Sequence, residues 1–170
     1  IDSKLQKASF KALSKQVGKW EAKKGFSIVM NVNNGEILSL VSVPSYDPNK
    51  FWRYNSEIFK GWYSQDLFEP GSTFKPLNLA LALQEKVIEK DGFVEDTGNI
   101  NIGGWTLSNW DKKGNGYINY PEVLEVSSNV GMVKIMQNLN PSLYWDWLEK
   151  LGINKNLETD LYESTAGQLK

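Results

Sequence analysis

The sequence predicts an α+β domain in which an antiparallel sheet is flanked by helices. Three observations carry that prediction: a helix-periodic opening segment, a pair of β-rich runs joined by Asn33-Asn34-Gly35, and a second half dominated by helix-periodic stretches. The 170 residues, 41% hydrophobic and 12% aromatic, suffice for one globular domain with a substantial core.

Over residues 2–20, Leu5, Ala8, Ala12, Leu13, Val17 and Trp20 recur near one face at helical spacing, while lysines fill the other, which predicts an amphipathic helix. Residues 26–32 and 36–43 are rich in Val, Ile and Leu, and the Asn-Asn-Gly between them is a tight-turn sequence, so the two runs should pair as an antiparallel hairpin. From 44 to 70 the periodicity breaks into Pro, Asn, Asp and exposed-looking aromatics, as an irregular loop would. A long helix is expected from Pro70-Gly71-Ser72, with Phe74, Leu77, Leu81, Leu83, Val87 and Ile88 as its apolar residues, Gly92 as its stop and Ser72 in its first turn. Residues 93–119, rich in Gly and Asn, yield only short strand-like or turn pieces near Ile100 and Thr106. A short helix over 121–126 leads through Ser127-Ser128-Asn129 into a second over 130–139, and a last one, capped by Asn140 with Pro141 at its first position, runs to Gly152.

Composition narrows the chemistry. Nineteen basic against twenty acidic residues, a net charge of -1, provide no electrostatic basis for binding nucleic acid. The chain has no His and no Cys, so Ser-His-Asp and Cys-His nucleophile systems are impossible, and no metal site is expected. Asp91, Asp111 and Asn115 do not follow the spacing of a calcium loop and read as turn residues. No run approaches the roughly 18 apolar residues that cross a bilayer, and Ile1-Asp2-Ser3-Lys4 does not resemble a signal peptide; an anchor or export signal is expected outside these residues.

Any base must therefore be Lys, Asp, Glu or Tyr. Ser72-Thr73-Phe74-Lys75 sets a hydroxyl and an amine three residues apart on one helix face, where they can share a hydrogen bond, at a helix N-terminus that favours developing negative charge. A lysine with a pKa near 10.4 serves as a base at neutral pH only if burial or nearby positive charge lowers it by roughly 3 units, so the site should be partly buried. Alone, Ser-x-x-Lys is a common coincidence, an N-capping Ser followed by a solvated Lys.

Its surroundings change that reading. The stretch from Phe68-Glu69-Pro70-Gly71-Ser72 to Phe74-Lys75-Pro76 resembles the active-site segment of penicillin-binding proteins, and Ser127-Ser128-Asn129 followed by Val130-Gly131-Met132 resembles their Ser-x-Asn box. Asn33 to Leu38 and Val43 to Asn49 are similar to the first hairpin and loop of class B members. The segments from Leu151 to Ile153 and from Thr159 to Gly167, Asp160 and Glu163 included, are similar to the region downstream of the box. The sequence around Ser72 and Ser127 looks more like the cell-division, FtsI-like type than the elongation type.

This resemblance implies a penicillin-binding protein/β-lactamase-like transpeptidase fold, with residues 1–170 as the N-terminal part of the transpeptidase domain. It implies a serine D,D-transpeptidase that cross-links D-Ala-D-Ala stem peptides in septal peptidoglycan synthesis and is acylated by β-lactams at Ser72. It makes Lys75 the base, Ser127 the proton relay toward the leaving amine and Asn129 the residue that bonds the substrate backbone and Lys75; the Ser72 N–H is half of the oxyanion hole. No cofactor is implied. Cell-division wall-synthesis proteins are the expected partners, at the periplasmic face of the bacterial inner membrane.

The sequence departs from the family in one respect. The third box, Lys-Thr-Gly or Lys-Ser-Gly on a later strand, is not present by Lys170, and Lys112-Lys113-Gly114, which precedes Ser127 in a Gly-Asn-rich stretch, does not replace it. The residues as they stand are expected to be inactive or nearly so. Two other readings remain open: a class D β-lactamase or β-lactam sensor, which shares Ser-Thr-Phe-Lys, and a non-catalytic interaction module. Trp52, Tyr54, Trp62 and Tyr63 could line a groove, and are as well explained by packing of a long loop.

Overall fold

The computed structural model describes residues 1–156, 159, 161 and 164–168. Asp160 and Glu163 of the downstream similarity lie outside the described residues. The chain divides into two compact units, residues 1–66 with 158–165, and residues 67–157 with 166–170.

The first unit opens with α1 (Ser3–Lys19), whose first turn is satisfied by Asp2: one carboxylate oxygen accepts from the N–H groups of Lys4 at 2.8 Å and Leu5 at 2.9 Å. Strand β1 (Gly25–Met30) pairs antiparallel with β2 (Ile37–Val43), Gly25 opposite Val43 and Ile28 opposite Leu40. The hairpin is as expected but shorter at the turn. Asn31 Oδ1 accepts from Asn33 N–H and Asn31 O accepts from Gly35 N–H, so the chain leaves the ladder before Val32 and rejoins it after Glu36. On the far edge of β2, the Gln6 amide satisfies both backbone groups of Leu40, donating to its carbonyl at 2.7 Å and accepting from its N–H at 3.0 Å.

The region read as irregular holds three short helical turns: 3₁₀ segments Pro48–Arg53 and Ser56–Phe59, and α2 (Trp62–Gln65). Asp47 and Asn55 cap the first two through their side chains, a local signal that hydrophobic periodicity does not register. Their aromatics pack on one another, Tyr46 edge-on to Phe59 at 4.7 Å and to Tyr54 at 6.1 Å.

The second unit begins with a 3₁₀ turn, Gly71–Phe74, that runs directly into α3 (Lys75–Gln84). Gly71 enters it at φ +59, a backbone angle that disfavours other residues, and this sharp entry tightens the first turn around Ser72. α3 is shorter than expected because Lys86 takes φ +54 and reverses the chain. Val87 and Ile88 then pack on the core from outside the helix. Residues 93–119 form two small ladders, β3 (Phe93–Asp96) with the later β6 (Gly116–Asn119), and β4 (Asn99–Ile102) with β5 (Trp105–Ser108).

Next comes α4 (Tyr120–Glu125), closed by a reciprocal capping box between Asn119 and Glu122, so it starts one residue earlier than expected. α5 (Asn129–Met136) ends before Leu139, and α6 (Pro141–Lys150) has the expected Asn140 cap. Leu79, Ala82, Ile88, Ile118, Val123, Met132 and Ile135 form the core that ties α3, α4, α5 and β6 together. Fully buried side chains such as Ile135, 1% exposed, contribute about 1.5–3 kcal/mol each by leaving water. Gly131 lies where α5 meets α4; a Cβ there would come within 3.0 Å of Val123 Cγ2 and of Ser128 Oγ.

Candidate active site

All four residues singled out in the sequence lie in the second unit. Lys75 opens α3, yet its side chain is 8% exposed because it extends toward the segment between α4 and α5 rather than into solvent. Its ammonium donates to Ser127 O at 2.6 Å, Ser127 Oγ at 3.1 Å and Asn129 Oδ1 at 2.7 Å, an acceptor for each of its protons. Burial pushes its pKa below the ordinary lysine value, and among the described residues no carboxylate pairs with it. Burial disfavours the charged amine while the three acceptors favour it, and the net shift is downward.

Ser72 sits one turn before Lys75 in the Gly71–Phe74 turn and is exposed. Among the described residues, none of the hydrogen bonds of Lys75 reaches Ser72 Oγ: the amine is engaged by the Ser-Ser-Asn segment instead. A pocket of about 440 Å³ opens beside Lys75, bounded by Gly71, Phe74, Lys75, Asn78, Asn129 and Tyr144 among others. Tyr144 donates to Asn78 Oδ1 at 2.8 Å, and burial raises its pKa.

Ser127 holds φ +53, uncommon for a residue with a Cβ, and the bonds of the segment account for it. Ser127 N–H bonds Leu124 O and Ser128 N–H bonds Val123 O, closing α4, and the reversed Ser127 peptide aims its carbonyl at Lys75. Asn129 begins α5 with its amide fixed at both ends, Oδ1 taken by Lys75 and Nδ2 donating to Ser108 O of β5 at 2.9 Å.

Behind the box lies a polar cluster that sequence reasoning did not find. Asp96, at the end of β3 and 1% exposed, accepts from Gly98 N–H at 2.9 Å, Asn109 Nδ2 at 2.9 and 2.8 Å, Asn115 Nδ2 at 2.6 Å and Ser128 Oγ at 2.8 Å. Burial raises its pKa, but the bonds from Asn115, Gly98, Ser128 and Asn109 outweigh that and hold it below the ordinary carboxylate value. Asn109 Oδ1 in turn accepts from the N–H groups of Asn129 at 2.9 Å and Val130 at 3.2 Å, while Ser128 Oγ accepts from Gly131 N–H at 2.8 Å. Asp96-Thr97-Gly98 reads locally as a turn, and its tie to Ser128, 32 residues on, has no sequence signature.

The remaining candidates fall elsewhere. Asn115 is spent on Asp96, and Asp111 Oδ1 accepts from Lys113 N–H within its own turn. Lys113 reaches the cluster through its carbonyl, which accepts from Asn109 Nδ2 at 2.8 Å. Trp52, Tyr54, Trp62 and Tyr63 belong to the first unit, where Trp62 meets Phe26 edge-on at 5.2 Å and Lys24 lies 4.5 Å from its ring centre.

The penicillin binding protein transpeptidase domain model matches residues 25–170. Among curated proteins, the peptidoglycan D,D-transpeptidase FtsI homolog of Mesostigma viride is 45% identical over the whole chain, and that of Chlorokybus atmophyticus 39%. The peptidoglycan D,D-transpeptidase FtsI of Escherichia coli (strain K12) is 30% identical over 98% of the chain. The chain spans 30%, 27% and 28% of the lengths of these relatives. Among solved structures, the apo transpeptidase domain of Burkholderia pseudomallei penicillin-binding protein 3 matches all of this chain and 46% of its own at TM-score 0.85 and 29% identity. A peptidoglycan glycosyltransferase from Burkholderia ambifaria matches at TM-score 0.86 and 29% identity, over 49% of its length. The transpeptidase fold expected from the sequence is the fold observed.

Proposed function

This chain belongs to the family of penicillin-binding protein transpeptidase domains, and on that premise we propose that it carries the acylation half-site of a peptidoglycan D,D-transpeptidase of the cell-division, FtsI-like class. Residues 1–170 form the N-terminal part of that domain. The observation that carries the reading is the buried Lys75 amine, one turn from Ser72 and held by Ser127 Oγ and Asn129 Oδ1.

In the proposed reaction, Ser72 Oγ attacks the carbonyl carbon of the penultimate D-alanine of a stem peptide while its proton passes to Lys75 Nζ. The C–N bond to the terminal D-alanine breaks, and Ser127 Oγ relays the proton to the departing amine. An amine of a second stem peptide then attacks the Ser72 ester; its proton returns to Ser72 Oγ through Lys75, and the new amide cross-links the two strands. Asn129 uses its amide to hold both Lys75 and the substrate backbone. The Ser72 N–H supplies one oxyanion donor, and the strand bearing the third box supplies the other. A β-lactam carbonyl is attacked in the same way and leaves Ser72 acylated. The activity belongs where peptidoglycan lies, which in a bacterium is the periplasmic face of the inner membrane, in company with cell-division wall-synthesis proteins. Among the described residues no helix is long and apolar enough to cross a membrane.

The experiment uses a polypeptide that contains these residues and continues through a Lys-Thr-Gly strand, given a D-Ala-D-Ala-terminated peptide and an acceptor amine. D-alanine release coupled to acceptor incorporation, abolished in Ser72→Ala, supports the reading; rapid turnover of penicillin instead favours a β-lactamase, and no release at all favours an interaction module.

A further inference from the structure

A buried carboxylate is strongly unfavourable unless donors compensate it, and Asp96 is compensated from several segments of the second unit at once. Those donors do more than neutralise a charge. Asn109 can place either its oxygen or its nitrogen toward α5, and the two choices are nearly equal in size. Asp96 accepts hydrogen bonds and donates none, so it selects the orientation with Nδ2 facing Asp96 and Oδ1 facing the N–H groups of Asn129 and Val130. The flipped amide would turn protons toward those N–H groups. Asp96 also receives the Ser128 proton, which leaves Ser128 Oγ free to accept from Gly131 N–H and cap α5. Ser127 and Asn129, the residues that hold Lys75, flank Ser128 in the chain.

We propose that Asp96 is a positioning residue for the Ser127–Asn129 segment, fixing through Asn109 and Ser128 the place at which Ser127 and Asn129 hold the Lys75 amine. It touches neither substrate nor Ser72; its effect on chemistry is carried by the placement of α5. The inference rests on the transpeptidase reading of the site.

Asp96→Asn keeps the shape but adds donors where only acceptors fit, so it loosens the orientation of Asn109. In the polypeptide that continues through the third box, acylation by a fluorescent penicillin is followed against pH for wild type, Asp96→Asn and Leu148→Ala. Leu148 is buried in α6 and serves as a control for lost stability alone. Asp96→Asn should slow acylation on the order of 10²-fold, as an ångström of misplacement does. It should also move the acidic limb of the profile to lower pH, since Lys75 loses well-placed acceptors for its charged form. Leu148→Ala should lower the melting temperature and leave both rate and profile in place.

A folded Asp96→Asn whose rate stays within about twofold of wild type and whose profile does not move overturns the inference. Should Asp96→Asn not fold, Ser128→Ala carries the test: slowed acylation with the same shift supports the inference, and unchanged acylation overturns it. Wild type that is never labelled overturns the transpeptidase reading and this inference together; a labelled wild type with indifferent variants overturns the inference alone.

Discussion

The hairpin unit and the site unit solve the same problem, how to hold a chain in one place, with different materials. In the first unit, among the described residues, only Ser39 and Val41 are buried, while Ile28 is 40% exposed, Met30 54% and Val32 92%. Its order comes from ladder hydrogen bonds, the Gln6 clamp on Leu40 and the Asp2 cap. The second unit has a continuous apolar core and, above it, a buried polar cluster running from Asp96 to Lys75. A lysine can be kept out of water with its pKa lowered only where the surrounding atoms do not move, and the second unit has the packing for that.

The largest effect that would sharpen this contrast is on Lys75. Lys75→Ala should slow penicillin acylation by roughly 10²- to 10⁴-fold, the usual contribution of a general base, measured as adduct formed against time. Stability should respond in a way that identifies burial as the cause. Because burial lowers the folded pKa below 10.5, the unfolded chain binds more protons between that lowered value and 10.5, so stability rises with pH through this window. The difference in unfolding free energy between wild type and Lys75→Met should therefore move in favour of wild type as pH rises toward 10.5, and a flat difference would contradict a buried, depressed lysine.

Next in size is the packing difference itself. Ile135→Ala should cost about 2–5 kcal/mol by urea unfolding, whereas Ile28→Ala, on the half-open hairpin, should cost about 1 kcal/mol or less. Equal costs would break the comparison. The smallest effect belongs to the cap of α4: Asn119→Ala removes the oxygen that accepts from Glu122 N–H and should cost about 1 kcal/mol, read by the same titration.

Much of this was legible in the sequence, and what was not has identifiable reasons. Ser72, Lys75, Ser127 and Asn129 stood out because two short motifs fell in order, and the structure brings three of them into one hydrogen-bonded group. That Lys75 bonds the Ser-Ser-Asn segment rather than Ser72 follows from the tertiary placement of α5, which spacing along α3 does not encode. The opening helix and the hairpin were visible because Leu13, Val17 and the Val and Ile runs carry clear periods. In residues 93–119 the strand-like pieces near Ile100 and Thr106 fall on β4 and β5, whereas β3, β6 and the pairing of the ladders carry no signal, because strands of four residues with glycines at their ends are too short for a period to register. Periodicity carries α3 past its end at Gln84 because Val87 and Ile88 keep the apolar pattern after Lys86 has turned the chain. Asp96 was invisible for a related reason, since its partners are distant in sequence and an Asp before Thr-Gly looks like any turn residue.

The most direct test is covalent. The polypeptide carrying these residues through a Lys-Thr-Gly strand is incubated with penicillin, and the intact mass and the peptide bearing any adduct are determined. We expect one penicilloyl group per chain, on Ser72, lost in Ser72→Ala. A folded protein that gains no mass, or that is labelled equally in Ser72→Ala, would contradict the assignment of Ser72 and Lys75 as the reacting pair.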